Sequence, residues 1–312
     1  MRLMRDVARH TSWSAVLLLL LFPAVLPAQV AAPVEAPLEA PEPSTSGHHM
    51  LWRVESPDGG TGYLLGSIHL ARSDLFPLPH VYSEAFDEAR FVAFEIDLDK
   101  VLSMSFALVR RGFYWDGRTL EEAVTPETWE LLRERTREGD LDLSLLRRAK
   151  PWLVSLLLSV TELREGGYEG ASGIDQALFH RAEGAGKERR FLETADEQFL
   201  FFDEFSVKAQ EALLRSALEE TEGGTREIDA LTEAWKEGDT ETLDALIRET
   251  GEEVPGLVER LLVERNRNWV PRIEGWLTEG EPFLVVVGAG HLVGDDSVVA
   301  LLRERGYRVE RL

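Results

Sequence analysis

The sequence predicts an α/β fold with an α+β-like order: a mixed sheet built from both ends of the chain, with a large helical insertion between them. Three observations predict it. Strand-like apolar runs lie near the front, at residues 50–54, 63–67 and 91–98, and return at the back, at 283–287 and 307–312. From Leu102 to about Trp276 the strand signals nearly vanish and helices fill the centre. One pattern also occurs twice: residues 63–70 read YLLGSIHL and residues 284–292 read LVVVGAGHL, each an apolar run followed by Gly-x-x-His-Leu.

Residues 1–28 read as a signal peptide. Arg2, Arg5 and Arg9 make a positive start, residues 15–22 a short apolar core broken by Pro23, and Ala28 or Ala32 a cleavage point. The core is short for a spanning helix, and an uncleaved N-terminal anchor is the alternative reading. Either way the domain is expected to be exported, to a periplasm or beyond the cell. Residues 29–49 form a Pro/Ala-rich linker with no apolar periodicity, and His48 and His49 at its end read as solvated. The folded domain is expected over 50–312, with the helical insertion at about 102–276.

Residues 50–54 and 63–67 pair as a hairpin around Pro57-Asp58-Gly59-Gly60. Residues 79–89 suit a helix. The run FVAFEIDL at 91–98 reads as a buried strand containing Glu95, with Asp97 two residues on and facing the same side. In the insertion, residues 119–137 are helical with a second start at Thr125-Pro126. Residues 143–163 form a buried helix bracketed by Arg147, Arg148, Lys150 and Glu162, so no membrane span is expected in the mature chain. Asp175 reads as the N-cap of a helix after Gly173. Residues 190–194 are strand-like and end in Glu193-Thr194. Acidic amphipathic helices follow at 196–220, 225–238 and 240–250. The next helix, at 254–276, carries Arg265, Asn266 and Trp269. Asp295 or Asp296 caps a last helix through Arg305.

The chemistry follows from where the motifs end. Gly66 and Gly288 each stop an apolar strand at a tight turn, with positive φ if needed, which leaves His69 and His291 just past the strand ends. In open α/β sheets that edge is where ligands bind. With 25 glycines and 7 histidines in the chain, chance gives roughly half a Gly-x-x-His, so one copy means little and two after strands mean more. A carboxylate such as Glu95 inside an apolar run is costly to bury unless paired or bound to a metal. His69, His291 and Glu95 make two imidazoles and a carboxylate, a ligand set for Zn²⁺, Mn²⁺, Co²⁺ or Fe²⁺ with open positions. Glu193 is the candidate proton carrier, with Asp97 behind it and His69 and Glu95 as further catalytic candidates. Arg265 and Asn266 are candidates for holding an oxyanion or a peptide carboxylate. No HExxH and no Gly-x-Ser-x-Gly occurs. The absence of cysteine excludes thiol catalysis and disulfides. A net charge of −22 argues against nucleic acid or an anionic membrane surface as partners; for the hydrolase reading the expected partner is a peptide or small-molecule substrate.

In order and spacing the motifs resemble the TraB/GumN family, which includes the Tiki proteases. The matching residues are Leu65-Gly66-Ser67-Ile68-His69, Glu95-Ile96-Asp97, Gly173-Ile174-Asp175, Leu192-Glu193-Thr194 with Gln198, Arg265-Asn266 with Trp269, and Val287-Gly288-Ala289-Gly290-His291-Leu292. The resemblance implies an erythromycin-esterase-like fold. It also implies a peptidase using Mn²⁺ or Co²⁺, with His69, His291 and Glu95 at one site. Two rival readings stand beside the metallohydrolase: a protein that sequesters a peptide or other ligand without turnover, and a metal-independent esterase with His69 as general base.

Overall fold

The computed structural model describes residues 48–137, 141–169, 172–219, 224–252 and 254–312. The signal-peptide reading and most of the linker lie outside the described residues. The chain opens with β1 (Leu51–Glu55) and β2 (Thr61–Ser67), then α1 (His80–Glu88) and β3 (Phe91–Phe94). Helices α2 (Val101–Gly112), α3 (Leu120–Ala123), α4 (Pro126–Thr136), α5 (Pro151–Glu165) and α6 (Ile174–Gly184) follow. Among the described residues one short strand, β4 (Glu188–Phe191), interrupts the helical span before α7 (Ala195–Asp203), α8 (Val207–Glu219), α9 (Gly224–Glu237) and α10 (Thr240–Glu252). A π-helical turn, Glu259–Val263, runs into α11 (Glu264–Glu279). Then β5 (Phe283–Gly288), α12 (Val298–Glu304) and β6 (Arg308–Arg311) close the chain.

The strands make one six-stranded sheet in the order β4-β3-β5-β2-β1-β6. β2, β5, β3 and β4 are parallel neighbours, while β1 pairs antiparallel with both β2 and β6. The two ends of the chain therefore do pair, with β2 against β5 in the register Leu65↔Val286 and Ser67↔Gly288. The strands that carry the repeated pattern are buried along nearly their whole length, as parallel strands between helical layers must be. Phe283 stacks on Phe91 across β5 and β3, with ring centroids 5.3 Å apart. Gly62 is required beneath that ring, because a Cβ there would stand 2.5 Å from the Phe283 ring.

Several elements differ from the sequence reading in ways that matter for the site. β3 stops at Phe94, so Glu95 lies just beyond the strand rather than inside it. Its side chain turns back to accept from the Gly288 amide, and the strand ladder ends there. β4 ends at Phe191, which leaves Glu193 in the following loop. Asp97 turns away and accepts from the Asp99 amide at 3.2 Å, with Lys100 at 3.3 Å. The N-cap of α6 is Gly173, which makes no side-chain cap bond, and Asp175 points elsewhere. Ser297, not Asp295 or Asp296, caps α12 by accepting from the Ala300 amide at 3.1 Å. Residues 196–220 break into α7 and α8, and α2 fills the start of the insertion, where the sequence reading assigns no individual helix.

Helix α5 is buried on most of its surface and packs against α8, where Ser155 Oγ donates to the Leu213 carbonyl at 3.0 Å. Its 15 residues fall short of a bilayer, and no described helix is long and apolar enough to cross one.

Candidate active site

Four neighbouring parallel strands point their carboxyl ends at one sheet edge, and each delivers a polar side chain just past its last residue. His69 follows β2, Glu95 follows β3, Glu193 follows β4 and His291 follows β5. Such an edge is the natural place for a site in an open α/β sheet. The two imidazoles, 222 positions apart in the chain, meet there: His69 Nε2 lies 3.6 Å and His291 Nε2 3.9 Å from Glu95 Oε1. Gly66 makes the approach possible. A Cβ at that position would stand 3.1 Å from Ala289 Cα and 3.2 Å from Ala289 Cβ, so the first Gly-x-x-His turn packs directly on the second. Neither Gly66 nor Gly288 takes a positive φ, so close approach is the reason for glycine at 66. Gly288 instead lends its backbone N–H, which donates to Glu95 Oε1 at 2.7 Å.

Each ring is held from behind. His69 Nδ1 lies 3.0 Å from Asp175 Oδ2, the carboxylate expected to cap α6. His291 Nδ1 lies 2.6 Å from Asn266 Oδ1. Trp269 packs on the His291 ring at 4.3 Å between centroids. Burial opposes charge on His69, but the Asp175 and Glu95 carboxylates outweigh it and raise that imidazole to about 10. Burial, reinforced by the Arg265 guanidinium, drives His291 well below its ordinary value, so this ring stays neutral.

Arg265 ties the two carboxylates together. Its Nη2 donates to Glu95 Oε2 at 2.5 Å and to Glu193 Oε1 at 2.6 Å, and its Nε donates to Glu193 Oε1 at 3.1 Å. Its Nη1 donates to the Leu261 carbonyl at 3.0 Å, inside the π-helical turn that precedes α11. Gln198 bridges the same carboxylates, its Nε2 donating to Glu193 Oε1 at 2.7 Å and Glu95 Oε2 at 3.1 Å. Trp269 Nε1 donates to Glu193 Oε2 at 3.2 Å. Burial raises the Glu95 carboxyl, yet Arg265 foremost, with the His69 imidazole, overcomes it and holds Glu95 below the usual carboxylate range. Glu193 ends above its ordinary value because burial exceeds the pull of Arg265.

The structure thus gathers His69, Glu95, Glu193, Arg265, Asn266 and His291 in one buried cluster, and leaves Asp97 outside it. Arg265 and Asn266, candidates for an oxyanion from sequence, are engaged with the cluster's own carboxylates and imidazole. Asp175 and Gln198 join it without having been singled out for chemistry. Their signals were local ones, a Gly-Ile-Asp helix start and a Gln after Glu193-Thr194, and neither names a partner far away in the chain.

A small cavity of about 10 Å³ touches the cluster, walled by His69, Glu95 and Asp175 on its polar side and by Phe94, Ile96 and Val286 on its apolar side. That is the scale of one water molecule. The Nε2 atoms of His69 and His291 are buried with no hydrogen-bond partner, and His69 Nδ1 meets Asp175 Oδ2 as a close ion pair without hydrogen-bond alignment. Two orphaned imidazole nitrogens facing one carboxylate oxygen are the donor types a divalent metal takes. Among the described residues, no group of three or more His, Asp or Glu side chains is arranged to hold a metal ion as it stands.

Known proteins align over most of this chain. It is 25% identical over 260 residues to the uncharacterized protein YbaP of Escherichia coli, covering 82% of this chain and 94% of that one. It is 24% identical over 354 residues to the metalloprotease TIKI1 of Danio rerio, covering 96% of this chain and 70% of that one. Against the metalloprotease TIKI1 of Homo sapiens it is 23% identical over 314 residues, covering 83% of this chain and 61% of that one. No solved structure gives a significant match. The family model TraB/PrgY/gumN matches residues 50–311, a span that takes in every strand of the sheet and every residue of the buried cluster, and the chain belongs to that family.

Proposed function

We propose that the chain is an exported, metal-dependent hydrolase that cleaves peptide bonds. The observation that carries this reading is the pair of buried, unpartnered imidazole nitrogens, from opposite ends of the chain, that face Glu95 Oε1. Two relatives named metalloproteases support the reaction class. His69, His291 and Glu95 would hold the ion, Mn²⁺ or Co²⁺ by family resemblance and Zn²⁺ as the further candidate. A divalent metal bound there supplies Lewis acidity, making water more acidic and polarising a carbonyl. The chain's own residues do the rest. Asp175 and Asn266 orient the rings, and Arg265 keeps Glu95 ionised. Glu193, raised by burial, holds or moves a proton beside Glu95. Export rests on the basic start and apolar core of residues 1–28.

The test is cleavage of a mixed peptide library, read by mass spectrometry, with and without chelator, for wild type and Glu95→Gln. Metal-dependent cleavage that Glu95→Gln abolishes is the expected result. A library left intact by wild-type protein loaded with Mn²⁺, Co²⁺ or Zn²⁺ sinks the reading. One contact favours a second reading, the metal-independent esterase: Asp175 Oδ2 lies 3.0 Å behind His69 Nδ1, the side from which a carboxylate supports a general-base imidazole. Hydrolysis that survives exhaustive chelation selects it.

A further inference from the structure

The two imidazoles of the cluster have unlike partners at their rear nitrogens. His69 is backed by the Asp175 carboxylate, at 3.0 Å, and His291 by the Asn266 side-chain amide, at 2.6 Å. Which end of that amide faces the ring is settled at its other end. Asn266 Nδ2 lies 2.9 Å from the Asp296 backbone carbonyl oxygen, which can only accept. The amide nitrogen therefore faces Asp296, and Oδ1, an acceptor, faces His291 Nδ1. An acceptor at that distance requires an N–H on Nδ1, and the neutral ring then carries its lone pair on Nε2. Nε2 is the buried, unpartnered atom turned toward Glu95.

We infer that Asn266 is a positioning residue that locks His291 in the Nδ1–H tautomer and so presents the Nε2 lone pair to whatever occupies the site. Trp269, packed on the same ring from one turn further along α11, keeps the ring from turning over. A neutral amide suits the position where a carboxylate would not. Beside Arg265 and in a buried setting, the amide fixes the proton on Nδ1 without adding a charge that would draw a second proton onto Nε2. The inference rests on the metal reading only for the identity of the ligand that Nε2 meets; the tautomer itself does not depend on it.

The experiment uses the full chain, metal-free, with ¹⁵N-labelled histidine, and reads the ring nitrogens by long-range proton–nitrogen correlation. His291→Ala identifies the His291 signals among the seven histidines. Wild type is expected to show His291 protonated on Nδ1 only. Asn266→Leu removes the acceptor at similar size, and His291 is expected to move its proton to Nε2 or to populate both tautomers, while the His69 signals stay in place. Asn266→Asp keeps an acceptor and is expected to keep the proton on Nδ1. Titration of each protein with Mn²⁺ alone should show affinity about 10–100-fold weaker in Asn266→Leu. An unchanged His291 tautomer in Asn266→Leu overturns the inference. Should that variant fail to fold, a proton on Nε2 in wild type, or loss of the Nδ1 proton in Asn266→Asp, overturns it as well. A wild type that binds no Mn²⁺, Co²⁺ or Zn²⁺ defeats the metal reading and leaves the tautomer result to decide the role of Asn266.

Discussion

Arg265 shows how much of the site is a problem in buried charge. Its guanidinium is almost wholly buried and meets two carboxylates that are buried too. Removing one partner of such a set leaves uncompensated charge in a low-dielectric interior. Arg265→Met should lower stability by about 3–5 kcal/mol in urea denaturation, because Glu95 and Glu193 would be left facing each other. A loss within experimental error would mean that the carboxylates take up protons or water at little cost. At this scale the sequence revealed the residue types but not their pairings. His69, Glu95 and His291 were legible because each follows an apolar strand that marks its place. Asp175 was not, since an Asp one residue into a helix looks like a capping group, and only the fold brings His69 Nδ1 to it. Asn266 and Arg265 looked like groups awaiting a ligand because sequence shows a donor without its acceptor.

Elements act by setting the distance between those residues. The contact of Gly66 with Ala289 joins β2 to the turn after β5, and Gly66→Ala puts a methyl group into it. An overpacked contact of this kind costs about 1–3 kcal/mol, and the shift falls on both histidine turns together. Gly66→Ala should therefore reduce thermal stability and Mn²⁺ affinity in one step; a variant that binds Mn²⁺ as tightly as wild type would show that the two turns move independently. Helices α2 and α7 are joined by Asp196, which accepts from Arg111 Nε at 3.0 Å and Nη2 at 2.8 Å and also pairs with Arg110. Those bonds, Arg111 foremost, depress the Asp196 carboxyl from 3.8 to about 2. A depressed acid stabilises the fold above its unfolded value and ceases to do so as pH falls through the folded one. The stability difference between wild type and Asp196→Asn should thus be constant above about pH 4 and shrink between there and pH 2. A difference that does not change across that window would assign the contact no electrostatic share. Helix α2 also shows where periodicity misleads: Leu102 and Phe106 are 76% and 75% exposed, so its apolar residues do not trace the buried face.

The whole molecule is a sheet completed by its own two ends, and that closure was legible because the strand signals sat at both ends of the chain and almost nowhere between. β4 was the partial exception. It is short, charged and only half-buried, and pairing with β3 rather than its own composition makes it a strand. The proposed export adds an expectation for the intact protein: material recovered from outside the cytoplasm should start near residue 29 by mass, and recovery of the uncut chain would favour the anchor reading. The proposed activity depends on His69 and His291 serving one site with Glu95. Calorimetric titration of Mn²⁺ into wild type, His69→Ala and His291→Ala addresses that dependence directly. One saturable site in wild type, lost from either variant alone, is the predicted result; wild-type affinity retained by either variant would contradict it.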